Sequence, residues 1–310
     1  MVINSNVAIV LYGIWGILIA ASLIVWLLKI LNPGKDYHEL IQRTQSWWIM
    51  LGIFTIAFIT NRIASYIFLG FVSFLALKEY LSIIPTRRAD RRVLFWAYVS
   101  IPLQYYWAAT GWFGMFIIFI PVYMFLFIPF RLLLTQQTEG FLKSVGIIQW
   151  GLMITVFALS HMSYLLSLPD IGEKHMTGAG LLLFLVFLTQ FNDVAQYTSG
   201  KLFGKHKVIP AVSPKKTWEG LIGGVIITTL LSIVLYPLLT PFKLSIAICA
   251  GLIISISGFI GDVTISAIKR DIGIKDSGNI IPGHGGILDR VDSLTFAAPL
   301  FFHLVYYLCY

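Results

Sequence analysis

An all-α integral membrane protein, a polytopic helical bundle with about eight to ten transmembrane helices, is the fold class that this 310-residue sequence predicts. Three observations carry the prediction. Apolar runs of about 20 residues, the length that crosses a hydrocarbon core of about 30 Å, recur from end to end. Apolar residues make up 58% of the chain and charged residues 12%, about half the share usual in a soluble domain. Lysine and arginine also fall mainly in alternate loops, as the positive-inside rule requires of a multi-pass protein.

The first apolar run, Val7 to Ile30, has no basic residue before it and is longer than the core of a signal peptide, so it reads as a retained helix. Further helices are expected over 47–60, 63–84, 93–109, 112–134, 145–168, 178–197, 218–240, 244–268 and 291–310. The 47–60 segment is short for a span and the break at Thr110-Gly111 is minimal, so eight or nine spans also fit. With ten spans, 18 of the 22 lysines and arginines lie on one side, which places both termini outside the cytoplasm. A bacterial inner membrane, with the polar loops cytoplasmic, is the expected location.

That asymmetry accounts for the net charge of +8 and leaves no need for a nucleic-acid partner; basic loops attract anionic lipid instead. The cluster TRRADRR at 86–92 is assigned the same orienting role. Two cysteines, Cys249 and Cys309, both in apolar stretches, support neither a disulfide framework nor a thiolate metal site. Trp47, Trp48, Trp107 and Trp112 stand near span ends, where interfacial anchoring explains them. The sequence allows a homodimer without demanding one.

The chain divides in character near residue 178. Residues 1–177 form a region of N-terminal transmembrane helices, whereas 178–310 contain two long polar loops, 198–217 and 269–290, and form the expected catalytic region. Carboxylates in or beside spans cost about 2.5–3.5 kcal/mol each on insertion scales, so each needs a reason. Asp193, Asp262, Asp289 and Asp292 all fall toward the cytoplasmic side. Converging carboxylates repel one another unless a cation neutralises them, and oxygen-ligated Mg²⁺ suits such a set, with substrate phosphate completing its shell. Asp289 and Asp292 also stand where an acid favours a helix N-terminus. Glu79, on a membrane helix, is expected to pair with Lys78 or another cation, or to line a lipid cavity.

The loop KRDIGIKDSGNIIPGHGGILDRVD at 269–292 combines Lys269, Arg270, Lys275 and Arg290 with glycines around His284. Basic side chains offer charge to polyphosphate, and glycines let backbone N–H groups approach its oxygens. His284 could serve as proton donor, phosphate contact or metal ligand, of which a phosphate contact is preferred. In the other loop, SPKKT lacks the glycines of a P-loop. Ser213 is instead expected to cap a helix with Pro214 in its first turn, so that Lys215, Lys216 and Thr217 meet an anion at the dipole end.

The segment SAIKRDIGIKDSGNIIPGHGGILDRVD at 266–292 resembles the signature of the phosphatidate cytidylyltransferases, or CDP-diacylglycerol synthases. FGKHK, SPKKTWEG and the Gly261-Asp262 pair resemble the same family, which makes the likeness specific over about 190–300. The resemblance implies a nucleotidyltransferase that converts CTP and phosphatidic acid to CDP-diacylglycerol and pyrophosphate. It implies Asp262 and Asp289 as principal ligands of a Mg²⁺ centre of two cations, with Asp193 a further candidate. Lys216, Lys269, Arg270, Lys275, His284 and Arg290 are then candidates for nucleotide or lipid phosphate. One departure stands out: Asp193-Val194-Ala195-Gln196-Tyr197 replaces the family's usual Asp-Ser-Gly-Ala-Tyr. A CTP-dependent lipid-alcohol kinase would share the KTWEG element but release CDP, and an ion-coupled transporter would have no use for basic, glycine-rich loops.

Overall fold

A computed structural model describes residues 5–32, 34, 36–85, 87, 90–171, 178–278 and 285–310. Among them are ten helical stretches: α1 (Ser5–Leu31), α2 (His38–Thr60), α3 (Arg62–Ile83), α4 (Arg91–Thr110), α5 (Phe113–Leu133), α6 (Phe141–Leu165), α7 (Gly178–Phe203), α8 (Trp218–Leu239), α9 (Leu244–Asp271) and α10 (Leu288–Cys309). No β-strand occurs among the described residues. All but α2 and α4 are long and apolar enough to cross a membrane, which gives eight candidate spans and a multi-pass membrane protein. The short segment expected at 47–60 is the apolar end of α2, whose first turns are the polar sequence HELIQRTQS.

Several boundaries follow directly from local chemistry. Asn61 ends α2 in an extended conformation and caps α3, its side chain accepting from the Ala64 N–H at 2.7 Å. Gly111, at φ 69°, breaks α4 from α5 with the left-handed residue that ends many helices. α5 carries a π-helical stretch at Phe119–Met124 that includes Pro121, and the Ile120 carbonyl there accepts from Gln149 of α6 at 3.3 Å. A lateral donor of this kind compensates irregular backbone where water is absent. Ser213 does not cap α8: it lies in a turn, and Thr217 is the cap, accepting from the Gly220 N–H at 3.1 Å. The turn forms because the Lys216 N–H donates to the Ser213 carbonyl at 3.2 Å and the Lys216 carbonyl accepts from the Val208 N–H at 3.2 Å, which delays the helix by four residues.

The last four helices pack in sequence, α7 on α8, α8 on α9 and α9 on α10. Their contact depends on small residues and on one buried amide. Asn192 of α7 accepts from Thr228 of α8 at 3.1 Å and donates to the Ser255 carbonyl of α9 at 3.2 Å. A Cβ at Gly180 would collide with the Leu239 carbonyl of α8, and one at Gly178 with the Leu165 carbonyl of α6. α10 packs in turn against α6, where Phe302 and Tyr306 join Phe113, Phe116 and Tyr164 in one aromatic cluster. The N-terminal and C-terminal regions therefore share a core.

Arg87, from the basic cluster, has a defined structural partner. The carboxylate of Asp90, only 2% exposed, accepts from Arg87 Nη2 at 2.8 Å and from Ser144 Oγ at 2.8 Å, while Arg87 also donates to the Glu139 carbonyl. Burial pushes the Asp90 pKa up, but the donors from Arg87 and Ser144 outweigh it and hold the group below the usual carboxylate range. A depressed folded-state pKa contributes stability above the unfolded value, about 3.9, that is lost as pH falls through the folded value. Asp90→Asn is therefore expected to lower the melting temperature at pH 7 by on the order of 5 °C. The gap to wild type should narrow as pH falls below about 4, as followed by thermal unfolding in detergent; a gap independent of pH would refute the assignment.

Candidate active site

Asp193, Gln196, Tyr197, Gly200 and Lys201 follow one another at helical spacing on the last turns of α7 and face one cleft. The opposite wall is the 204–217 loop and the start of α8. That loop is pinned by Glu219, which accepts from the Lys205 N–H at 3.0 Å and from His206 Nδ1 at 2.6 Å, and by a backbone bridge between Lys207 and Thr217. Phe259 and Asp262 of α9 form the floor. The resulting cleft, of about 410 Å³, is also lined by Ser213, Lys215, Lys216 and Thr217. Lys216 extends across it, its Nζ 2.5 Å from Asp262 Oδ2 and 4.6 Å above the Phe259 ring.

Two carboxylates of this cleft, Asp193 and Asp262, interact electrostatically with a third, Asp292. Asp193 accepts from Ser293 Oγ at 3.1 Å, and Asp292, buried at the turn before the main part of α10, accepts from the Ser293 N–H at 2.7 Å. Asp193, Asp262 and Asp292 repel one another electrostatically, with Lys216, Arg290 and Lys269 as the cations within range. The close approach of α9 and α10 makes this possible, since a Cβ at Gly261 would come within 2.5 Å of the Asp292 carbonyl.

Asp289 stands apart from these three. Its Oδ1 accepts from Lys269 Nζ at 2.7 Å, and its Oδ2 accepts from the Ser277 and Gly286 N–H groups at 2.9 and 3.0 Å. Both partners of the ion pair are buried. The glycines that suggested phosphate cradling instead admit the protein's own carboxylates: Gly285 adopts φ +78° against Asp289, and a Cβ at Gly286 would collide with Glu79 and Ser277. Arg270 is turned toward loops, donating to the Val212 and Ile274 carbonyls at 3.2 and 2.9 Å. Lys275 is exposed outside the cleft, and His284 lies outside the described residues.

Arg290 opens onto a different space. An apolar groove of about 340 Å³ lies between α2, α3, α7 and α10, walled by side chains such as Phe54, Phe68, Val72 and Phe187. Its polar residues are Gln190 and Arg290, and the Arg290 Nε is buried with no hydrogen-bond partner among the described residues. Arg290, which lines the groove, is within electrostatic range of Asp193, which lines the cleft.

Among the described residues no three acidic, histidine or cysteine side chains form a ready-made metal cage. The donor chemistry nevertheless fits a hard divalent cation, because Mg²⁺ is commonly held by one or two carboxylates together with substrate phosphates and water. Asp193 and Asp262 are carboxylates on one cleft wall and floor, with Asp292 beside them.

A sequence profile describing the cytidylyltransferase family matches residues 41–308. The chain belongs to the cytidylyltransferase family. Within it, a protein of Escherichia coli strain K12 described as uncharacterized protein YnbB is 46% identical over 297 residues, which cover 96% of this chain and 97% of YnbB. Phosphatidate cytidylyltransferases of Staphylococcus saprophyticus and Staphylococcus aureus strain COL are 36% and 38% identical over 155 and 156 residues. Those matches cover 49% of this chain and 59% of each relative.

The site thus brings together Asp193, Asp262, Ser213, Lys215, Lys216 and Thr217, and leaves Lys269 with Asp289, Arg270, Lys275 and Arg290 in other surroundings. Sequence reasoning placed Gln196 beside the expected site but missed Lys201 and Lys207 as cleft residues. Helical spacing from Asp193 would have found Lys201. Among the described residues Glu79 neither pairs with a cation nor lines the apolar groove; it hydrogen-bonds the signature loop. Because the Lys269–Asp289 pair is buried, Lys269→Met is expected to destabilise the protein by about 3–5 kcal/mol, and Asp289→Asn in the same chain to recover part of that loss. A double-mutant cycle by denaturant titration checks this, and additive effects would exclude coupling.

Proposed function

We propose that the protein is a phosphatidate cytidylyltransferase that makes CDP-diacylglycerol and pyrophosphate from CTP and phosphatidic acid at the cytoplasmic face of a bacterial cell membrane. The carrying observation is a basic cleft that contains carboxylates, together with an apolar groove whose lining includes a cation, Arg290, within electrostatic range of Asp193. A nucleotide triphosphate suits the first space and a phospholipid the second.

In this reading the acyl chains occupy the groove and the phosphate of phosphatidate meets Arg290, whose buried Nε, without a partner among the described residues, is a donor for it. CTP enters the cleft with its phosphates among Lys201, Lys207, Lys215 and Lys216. With a second pKa near 6, taken by analogy from phosphorylated side chains, the lipid phosphate is largely dianionic at pH 7 and needs no strong general base. One of its oxygens bonds to the α-phosphorus, and the bond from that phosphorus to the α,β-bridging oxygen breaks, with the electron pair leaving on pyrophosphate. Lys216 exchanges Asp262 for the incoming phosphates and stabilises the charge on the leaving group.

Mg²⁺, when bound, supplies neutralisation of the attacking and leaving oxygens. Asp262 and Asp193 would hold it. Asp289 joins the ligand set only by giving up Lys269, and otherwise fixes the start of α10, from which Arg290 projects. Lys269 and Arg270, in the last turn of α9, are assigned to holding Asp289 and the Val212 carbonyl, and Lys275 and His284 to phosphate contact.

The test is to incubate detergent-purified protein with Mg²⁺, phosphatidic acid and α-labelled CTP. Label should enter the lipid extract with equimolar pyrophosphate. Asp262→Asn and Asp193→Asn should each reduce the rate by about 10²-fold or more, a typical size for loss of electrostatic stabilisation. Release of CDP in place of pyrophosphate would identify a lipid kinase, and absence of CTP binding would overturn the enzymatic reading.

A further inference from the structure

Glu79 is a carboxylate that the reaction does not use. It lies near the end of α3, is 4% exposed, and forms no ion pair among the described residues. A buried charge without a counter-ion is expensive, so its hydrogen bonds must hold it. Among the described residues those bonds come from one segment about 200 residues away in sequence: Ser277 Oγ at 3.2 Å, the Ile287 N–H at 2.9 Å and the Leu288 N–H at 2.8 Å. The last two are at the N-terminus of α10, where a helix dipole favours an anion. Gly278 and Gly286 let the loop close around the carboxylate; at Gly278 a Cβ would sit 3.1 Å from Oε1.

The position of this contact gives it meaning. One turn before Glu79, Leu75 is on the wall of the apolar groove, and Phe68, Phe71 and Val72 of the same helix line it further along. The facing wall is built from Ile287, Arg290, Val291 and Leu294. Glu79 therefore fastens the two walls together at the end where Arg290 stands, and the same loop carries the Ser277 and Gly286 N–H groups that hold Asp289. None of its partners lines the basic cleft.

We infer that Glu79 is a positioning residue for the acceptor phospholipid: by clamping Ser277, Ile287 and Leu288 to α3 it sets the width of the groove and the place of Arg290, without contributing to nucleotide binding. The inference rests on the reading of the groove as the lipid site. Glutamine in its place keeps the shape but turns an NH₂ toward backbone N–H donors, whereas aspartate keeps both acceptor oxygens on a shorter stem.

The experiment measures the KM for dioleoyl phosphatidate in mixed micelles and the CTP dissociation constant by calorimetry, for wild type and for Glu79→Gln, Glu79→Asp and Ser277→Ala. Glu79→Gln should raise the lipid KM about tenfold or more, the equivalent of one or two lost charge-assisted hydrogen bonds, while CTP affinity stays within about twofold. Glu79→Asp should recover part of the loss, and Ser277→Ala should show the same split at smaller size. Equal loss of CTP and lipid affinity in Glu79→Gln, or a lipid KM unchanged there, would overturn the inference. If Glu79→Gln does not fold, an unchanged lipid KM in Ser277→Ala overturns it and a selective rise supports it. If wild type binds CTP but shows no transfer to phosphatidate, the underlying functional reading fails instead.

Discussion

Each charge buried at the ends of the membrane helices must find an opposite charge or a set of donors, because hydrocarbon offers neither. The Lys269–Asp289 pair is the clearest case, with the remaining carboxylate oxygen used by two backbone N–H groups. Leaving either partner alone would strand a charge at a cost of about 3–5 kcal/mol, so the loop between α9 and α10 is bound to the helix beneath it. That one requirement arranges much else. It fixes where α10 begins, points Arg290 away from the cleft and into the groove, and brings the glycines of the signature against carboxylates of the protein itself.

The same requirement separates the two kinds of carboxylate in the site. Asp289 and Glu79 have their oxygens occupied by donors of the protein. Asp193, Asp262 and Asp292 are instead grouped where they repel one another, and Lys216 is held at Asp262 by a contact that incoming phosphates compete for. Satisfied carboxylates build the frame. Crowded ones beside a cleft store an attraction for cations, and therefore for a metal–nucleotide complex.

Much of this was legible in the sequence, for physical reasons that differ from element to element. Spans are legible because lipid imposes one length and one composition on them, and each expected apolar segment coincides with one helix of the structure, apart from a few residues at some ends. Ends are less so: α7 continues to Phe203 and α9 to Asp271 because polar residues beyond the hydrocarbon are still good helix formers. Ser213-Pro214 matches a capping pattern, yet the bridge between Lys207 and Thr217 displaced the cap to Thr217. Such a long-range pairing leaves no periodic trace. The carboxylates were legible as costly, but which of them would be satisfied internally depended on which backbone N–H groups the loop would aim at them.

Gln196 shows how a local departure is absorbed. The amide follows Asp193 by three residues, so both face the cleft, and its Cγ packs where a side chain at Gly224 of α8 would otherwise lie. A larger side chain on α7 is thus matched by the absence of one on α8, and the crossing of the two helices stays close enough for Asn192 to reach Thr228. The amide bond network that holds α7, α8 and α9 together, and the placement of Asp193 one residue later, depend on that compensation. Packing complementarity between two membrane helices is therefore part of what locates the acidic end of the site.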